Sequence, residues 1–236
     1  MKEKEIKDFI EKLNFSNGRY DSRDIFRDVI SLLVFVIQIF MLNNTDYMED
    51  YNNILRKYTE EEQLQLKTIM KDLAELYNKQ YEITDLLTDI FEKLGISNKE
   101  TGQFFTPFHI SKLAVKLTGI NEDEIKQKGY ITLHEPATGA GGMILAYANE
   151  LKEKGFNPSK NLYVVACDID ILCTYMTYLQ LAMYDIPAVV VNGDTLTLKE
   201  HFVLYTPQYF RGFWNLKDVF SKEKDKDKKP KEQKAS

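Results

Sequence analysis

The chain has few of the residues that characterise secreted, zinc-binding or membrane proteins. Cys167 and Cys173 are its only cysteines, and without a third thiol or clustered histidines they support neither a disulfide framework nor a zinc site. The charged N-terminus "MKEKEIKDFIEKLNF" is not typical of a signal peptide. The most apolar run, residues 29–42, is about two-thirds of the roughly 20 residues that a membrane helix needs. We therefore expect a cytoplasmic protein in which this run forms a helix buried on most sides.

The chain also lacks an excess of positive charge. Its 31 basic and 36 acidic residues give a formal net charge of −5. Residues 222–236 carry seven lysines and four acids, a net of +3, so the preceding body carries −8. Free-standing nucleic-acid-binding proteins are usually basic, so contact with nucleic acid would need a local basic patch or a basic partner. Residues 221–236 are expected to form a solvated, disordered tail.

Proline is absent before Pro107, and glycine is scarce in the same region. Apolar residues there recur at helical spacing, which predicts an all-α N-terminal domain over residues 1–98. The stretch "EEQLQLKTIMKDLAELYNKQ" has the strongest pattern. Its apolar stripe consists of Leu64, Leu66, Ile69, Met70, Leu73, Leu76 and Tyr77.

After Gly95 the pattern changes from helical to mixed. Thr106 as N-cap, Pro107 at the first position and Gly119 past the end predict a short helix over residues 107–118. The apolar runs "YITLHE", "NLYVVACD", "AVVVNGD" and "HFVLYT" then follow, separated at first by helices near residues 141–154 and 171–185. Alternating strands and helices predict a parallel sheet in an α/β domain over residues 99–220.

Three successive strands of this predicted sheet end in residues that suit a ligand. "EPATGAGGM" (residues 135–143) gives a glycine-rich turn into a helix, where the backbone can approach a ligand closely. Asp168 ends the second strand, where an acid can accept hydrogen bonds from ribose hydroxyls. Asp194 ends the third, where a carboxylate can meet an adenine amino group. Each acid alone also suits a helix cap or a turn, but the combination indicates a nucleoside site.

In order, "GQFFTP", "EPATGAGGM", "ACDID" and "NGDTL" resemble the cofactor motifs of adenine-specific DNA methyltransferases, especially the methylation subunit of type I restriction–modification systems. The resemblance covers about residues 101–209. It implies a Rossmann-like sheet that binds S-adenosylmethionine. The helical N-terminal half is also compatible with the helical domain of those subunits.

The resemblance also assigns residues to parts of the cofactor. Bordering the methionine end would be Phe105, Thr106 and Pro107, with Glu135, Ala137 and Gly139 shaping the loop beneath it. The Glu135 carboxylate could accept from the ligand's ammonium. Asp168 would hold the ribose, Ile169 would pack on the adenine face, and Asp194 and Thr195 would meet the adenine edge.

The catalytic motif departs from the family pattern. The family carries Asn-Pro-Pro-aromatic after its fourth strand, where the Asn and a proline carbonyl accept from the amino group of a flipped base and the ring stacks on it. Here Thr206, Pro207, Gln208 and Tyr209 align with that tetrapeptide. Losing one such positioned group costs on the order of 100- to 1000-fold in rate. Gln208 could supply an amide with a different geometry.

The predicted sheet is also shorter than the seven strands of the family. An open sheet edge is normally paired or covered, so we expect either another chain, in a homo- or hetero-oligomer, or residues 210–220 to cover it. The aromatic residues near the fourth strand are the apolar surface available for this, although they could equally form a local core. These aromatics are Tyr205, Tyr209, Phe210, Phe213 and Trp214.

The sequence thus favours a methyltransferase that modifies the amino group of adenine in DNA and takes its DNA recognition from a partner. Two alternatives remain at this point. One is a catalytically inactive module that binds S-adenosylmethionine and regulates a partner. The other is a methyltransferase with a different acceptor, such as RNA or protein, for which the missing Asn is no handicap.

Overall fold

The computed structural model describes residues 2–16, 18–95 and 105–217. The N-terminal part comprises helices α1 (Lys2–Lys12), α2 (Ser22–Val36), α3 (Met48–Leu55), α4 (Glu60–Asn78) and α5 (Leu86–Lys93). A π-helix (Ile37–Met41) and a 3-10 helix (Thr45–Tyr47) lie between α2 and α3. The remainder comprises α6 (Phe108–Thr118), α7 (Glu122–Lys128), β1 (Ile131–Glu135), α8 (Gly142–Glu153), α9 (Pro158–Asn161), β2 (Leu162–Asp168), α10 (Ile171–Met183), β3 (Ala188–Asp194), β4 (Lys199–Tyr205) and α11 (Pro207–Arg211).

The N-terminal helices follow the periodicity of their sequences. Helix α4 begins with a capping box, in which the Thr59 side chain accepts from the Glu62 amide and the Glu62 side chain accepts from the Thr59 amide. These two bonds satisfy amides that have no partner within the helix. Most of the predicted stripe faces the core, but Leu64 is 66% exposed, so that part of the prediction is wrong.

The apolar run at residues 29–42 forms the second half of α2 and the π-helix. It is buried as predicted up to Ile39, whereas Phe40 and Met41 are exposed. In the part of the chain that the structure describes, no helix is long and apolar enough to cross a membrane.

Helix α6 begins one residue later than predicted. Pro107 takes the N-cap position, and Thr106 precedes it. The predicted end is confirmed, since Gly119 follows the helix with φ +73°, a conformation that favours glycine.

The sheet is mixed, which corrects the expectation of a parallel sheet. Its order is β1-β2-β3-β4, and β1, β2 and β3 are parallel as predicted. Strand β4 is antiparallel to β3, with Asp194 opposite Lys199 and Val189 opposite Tyr205. Only residues 195–198 connect the two strands, and a parallel connection needs a crossover of a dozen or more residues. The short connection therefore forces β4 to run back along β3.

The helical part and the sheet share a hydrophobic core. Helix α10 packs on β2 and β3 with one side and on α2 with another. A buried hydrogen bond of 2.7 Å, from Gln38 Nε2 to the Tyr178 hydroxyl, joins the π-helix to α10. Among the described residues, the buried apolar side chains of both parts belong to a continuous cluster. The predicted boundary at residues 98 and 99 lies outside the described residues, and the division into two domains stays a prediction.

The other face of the sheet is covered by the segment after β4. Trp214 is 1% exposed and stacks on Tyr163 of β2, with ring centroids 5.2 Å apart. Tyr209 is also buried in this second cluster. The alternative of a local core therefore holds for these two rings, whereas Phe210 and Phe213 are exposed. Residues 218–220 and the predicted tail lie outside the described residues.

Candidate cofactor site

A cavity of about 190 Å³ opens between α5, the segment before α6, the glycine-rich loop and the start of α8. It brings together five of the predicted cofactor residues, which are Phe105, Thr106, Glu135, Ala137 and Gly139. Its remaining lining residues are Asp85, Thr88, Ser111, Thr138, Ala140, Gly142 and Met143. Pro107 caps α6 beside this set. Residues 102–104 of the "GQFFTP" motif lie outside the described part of the chain.

The glycine loop is held in place by its neighbours. Gly139 and Gly141 have φ values of +55° and +93°, which residues with a side chain rarely adopt. The Thr177 hydroxyl of α10 donates to the Gly139 carbonyl at 2.8 Å, and the Thr138 amide donates to the Cys167 carbonyl of β2 at 2.9 Å. A Cβ at Gly139 would lie only 3.0 Å from the Phe105 ring. The loop is therefore held from both sides.

Asp168 stands at the end of β2, beside this loop. Its Oδ2 accepts from the Gly139 amide at 2.8 Å, and its Oδ1 accepts from the Asp170 amide at 2.9 Å. Burial raises the pKa of Asp168, and the two amide bonds act in the opposite direction. Each carboxylate oxygen has a further lone pair, so Asp168 can hold the loop and still accept from a ribose hydroxyl.

The residues predicted to meet the adenine lie at the same edge of the sheet. The Thr195 hydroxyl donates to the Pro136 carbonyl at 2.6 Å, which joins the end of β3 to the glycine loop. Asp194 Oδ1 accepts from the amides of Leu196 and Thr197, and the hydrogen bonds with Thr197 lower the Asp194 pKa. Asp194 thus stabilises the turn after β3, as the alternative interpretation of this acid as a turn residue predicted. Ile169 is 64% exposed and has an open face for a base.

The tetrapeptide from Thr206 to Tyr209 lies beside the amino end of β3, whereas the predicted cofactor residues lie at the carboxyl ends of β1, β2 and β3. This corrects the expectation that the tetrapeptide adjoins the cofactor site. Because β4 is antiparallel, it ends beside the start of β3. The buried Thr206 hydroxyl accepts from the Ala188 amide and donates to the Ile186 carbonyl, each at 2.9 Å. Gln208 Nε2 donates to the Ser159 carbonyl, just before β2. Tyr209 and Pro207 are buried. The structure therefore does not bring these side chains to the cavity.

Three cavity residues escaped the sequence analysis, namely Asp85, Thr88 and Ser111. Asp85 comes from the N-terminal part and caps α5 by accepting from the Thr88 amide. Gln180 Nε2 of α10 donates to Asp85 Oδ1 at 2.8 Å and to the Ala140 carbonyl at 2.7 Å. The only local signal was that of an N-cap, Asp three residues before Thr88. Its place at the cavity depends on contacts about a hundred residues apart.

The arrangement fits a cationic nucleoside such as S-adenosylmethionine. Two carboxylates, Glu135 and Asp85, line the cavity, and none of its described lining residues is basic. Two residues at the carboxyl ends of the strands, the exposed Ile169 and the half-buried Asp194, extend the site along the sheet edge. The glycine loop and the free amides at the start of α8 suit a carboxylate group. The residues thus provide for positive charge, a ribose, a base and a carboxylate.

Comparison with known proteins identifies the class. Residues 79–234 match the family described as N-6 DNA methylase. This match covers more than half of the chain, so the chain belongs to the N-6 DNA methylase family. The family assignment confirms the sequence-based recognition and supports S-adenosylmethionine as the cofactor. No curated protein matches the chain significantly.

A solved structure gives a weaker likeness. It is a Listeria monocytogenes protein described as a class I S-adenosylmethionine-dependent methyltransferase, with 16% sequence identity and a TM-score of 0.41. The match covers 70% of the present chain and 52% of the Listeria protein. The chain therefore spans about half the length of that structure. A TM-score of 0.41 is too low to support the family assignment. The assignment therefore rests on the match of residues 79–234 to the family.

Proposed function

We propose that the chain is the S-adenosylmethionine-binding component of a cytoplasmic DNA methylation system of the restriction–modification type, with the amino group of adenine as the methyl acceptor. The observation that supports this most directly is the junction of the glycine loop with the ends of β2 and β3. Hydrogen bonds from Gly139 to Asp168 and from Thr195 to Pro136 hold these elements together. They join the loop that lines the cavity to the carboxyl ends of β2 and β3.

The cofactor residues take the following roles in this proposal. Phe105, Thr106 and Pro107 border the methionine end, and Glu135, Ala137 and Gly139 shape the loop beneath it. Asp168 accepts from the ribose, Ile169 packs on the adenine, and Asp194 with Thr195 meets the adenine edge. When bound, the cofactor supplies an activated methyl group on its sulfonium. The protein's own contribution is to hold that group at the open edge of the sheet.

A partner is part of the proposal, because the described residues place no acceptor tetrapeptide at the cofactor edge. Thr206 is fully buried and about one strand length from the loop. In this proposal a separate recognition subunit therefore binds the DNA and holds the target base. In the described sheet β1 and β4 are the edge strands, and a second copy or another chain can pair there.

The first test is calorimetric titration of the purified chain with S-adenosylmethionine. We expect saturable binding that is lost in Asp168→Ala. The matched control is Asp123→Ala, an exposed carboxylate on α7, which should bind as the wild type does. A folded wild-type chain that does not bind the cofactor would contradict the proposal.

The second test follows tritium from labelled S-adenosylmethionine into duplex DNA. We expect no transfer by the purified chain and transfer to adenine by the chain immunoprecipitated from cells that produce it naturally. Transfer by the purified chain alone would remove the need for a partner.

One observation favours a second candidate, a module that binds the cofactor and regulates a partner without methyl transfer. Both hydrogen bonds of the Thr206 hydroxyl are made to backbone groups at the start of β3, so the position of the family's catalytic Asn has a structural role here. Cofactor binding without DNA methylation in the immunoprecipitate would support this candidate over the first.

A further inference from the structure

Asp85 contributes a buried carboxyl group to the cofactor cavity. The residue is 2% exposed and lines the cavity. Its Oδ1 accepts from Gln180 Nε2 at 2.8 Å and from the Thr88 amide at 3.3 Å. The Thr88 side chain also hydrogen-bonds to the carboxyl group and lowers its pKa, but neither the Thr88 amide nor Gln180 contacts Oδ2. Because a buried carboxylate with few partners is costly, this oxygen is a candidate for a ligand contact.

The Asp85 carboxylate packs against Gly142, the first residue of α8. A Cβ at Gly142 would lie 2.6 Å from Asp85 Oδ2, closer than side chains approach. The backbone of Gly142 does not have a positive φ, so the glycine is not needed for the conformation of the loop. It is needed because the Asp85 carboxylate packs directly against the first turn of α8. The position of Oδ2 is therefore fixed by two elements.

Further polar groups surround this oxygen. The Thr88 and Ser111 hydroxyl oxygens are buried and line the same cavity. The Thr88 side chain hydrogen-bonds to the Asp85 carboxyl, whereas the Ser111 hydroxyl has no hydrogen-bond partner among the described residues. The Ser111 oxygen lies 4.0 Å from the same Cβ position at Gly142. A primary ammonium has three donors and suits a site with one carboxylate oxygen and neighbouring hydroxyls. An anionic group would repel the carboxylate, and a neutral donor would leave its charge uncompensated.

We propose that Asp85 accepts a hydrogen bond from the primary ammonium at the methionine end of S-adenosylmethionine, so that the N-terminal helical part completes the cofactor site. This inference rests on the proposed function. Glu135 remains the acceptor expected from the sequence, at the end of β1, where its Oε1 already accepts from the Ala137 amide. Asp85 adds a second carboxylate from a different element, α5, and makes the affinity depend on how α5 packs on α10 and α8.

The test compares two ligands that differ at the methionine end. S-adenosylmethionine carries the ammonium, whereas 5′-methylthioadenosine keeps the adenosine and sulfur but lacks the amino-acid group. Both are titrated calorimetrically into the wild-type chain and into Asp85→Asn. The Asn side chain keeps an oxygen for Gln180 and the Thr88 amide. We expect the variant to bind S-adenosylmethionine about 10- to 100-fold more weakly, as for a lost hydrogen bond to a charged group, and to bind 5′-methylthioadenosine as the wild type does.

Two further variants separate a direct contact from a structural effect. Gly142→Ala places a methyl group against Asp85 Oδ2 and should also weaken S-adenosylmethionine selectively. Asp123→Asn removes an exposed carboxylate on α7 and should change neither affinity. Thermal unfolding of each variant shows whether it is folded, and we expect Asp85→Asn to be at least as stable as the wild type.

The possible outcomes are distinct. Unchanged affinity of Asp85→Asn for S-adenosylmethionine overturns the inference and leaves the proposed function standing. An equal loss of both ligands also overturns it, because Asp85 then acts on the site as a whole. A folded wild-type chain that binds neither ligand overturns the proposed function, and the inference with it.

Discussion

The amide of Gly139 donates a 2.8 Å hydrogen bond to Oδ2 of Asp168. This bond ties the glycine loop after β1 to the end of β2. Asp168 fixes the loop, and in the proposed function it also accepts from the ribose. Asp85, in contrast, lines the cavity from the start of α5 and is proposed to meet the methionine end. The two carboxylates should consequently respond differently to ligands with and without the methionine end.

Asp168→Asn should weaken both S-adenosylmethionine and 5′-methylthioadenosine. An Asn side chain has one acceptor oxygen, so it cannot serve the Gly139 amide, the Asp170 amide and a ribose hydroxyl as the carboxylate can. We expect a loss of about 10- to 100-fold for each ligand, measured by calorimetric titration. Full retention of 5′-methylthioadenosine binding would show that Asp168 does not hold the ribose.

Thr206→Val should destabilise the protein without changing its affinity for S-adenosylmethionine. Valine has nearly the same shape but leaves the Ala188 amide without its partner at a fully buried position. Such a loss costs about 1–3 kcal/mol, measurable by urea unfolding. Thr206→Ser, which keeps the hydroxyl, is the matched control. Weaker cofactor binding at unchanged stability would place Thr206 in the site instead.

Thr206→Asn restores the side chain of the family's catalytic motif but should not create methyl transfer to DNA. Position 206 is 0% exposed and lies at the start of β3, away from the glycine loop. The larger amide should instead overpack its surroundings, with a cost of about 1–3 kcal/mol. Tritium transfer into duplex DNA by this variant would contradict the position that the structure gives to the tetrapeptide.

The pH dependence of stability should reveal the burial of Asp85. The pKa of an aspartate in an unfolded chain is about 3.9, and burial raises the pKa of Asp85 in the folded chain. Below the unfolded pKa both states are protonated and the group has no effect. As the pH rises above it, the unfolded state ionises first and the folded state loses relative stability, until the pH exceeds the folded pKa.

Asp85→Asn removes this titration. The unfolding free energy of the variant minus that of the wild type should therefore increase between about pH 4 and pH 8. Urea unfolding at both pH values measures the difference, and the other titrating groups are common to the two proteins. A difference that decreases with pH would mean that the carboxylate is stabilised in the folded state, as by an unobserved cation.

Trp214→Ala should destabilise the face of the sheet that the segment after β4 covers. The ring is 1% exposed, stacks on Tyr163 and meets Tyr130 edge-on with centroids 4.8 Å apart. Loss of a buried Trp costs about 3–5 kcal/mol, to be measured by urea unfolding. The neighbouring Phe213 is 66% exposed, and Phe213→Ala should change stability by less than about 0.5 kcal/mol. Equal effects of the two changes would contradict the local core.

The sequence by itself determined the features that depend on local spacing. The glycine loop, the acids at the ends of β2 and β3, and the apolar stripe of α4 follow from the identity and period of neighbouring residues. Gly119 ends α6 because its backbone has a positive φ that other residues disfavour. The family motifs are of the same kind, since each is a short stretch at the end of one strand.

The tertiary structure alone decided which of these residues meet. The pattern of "HFVLYT" predicted β4 but not where the strand begins. The structure starts β4 at Lys199, which leaves a connection too short for a crossover, so β4 pairs antiparallel with β3 and Thr206 lies away from the cavity. Asp85 showed only an N-cap signal locally, and its position at the cavity depends on Gln180, 95 residues further along the chain. Local propensity cannot encode such contacts, because they arise from packing between elements that are distant in sequence.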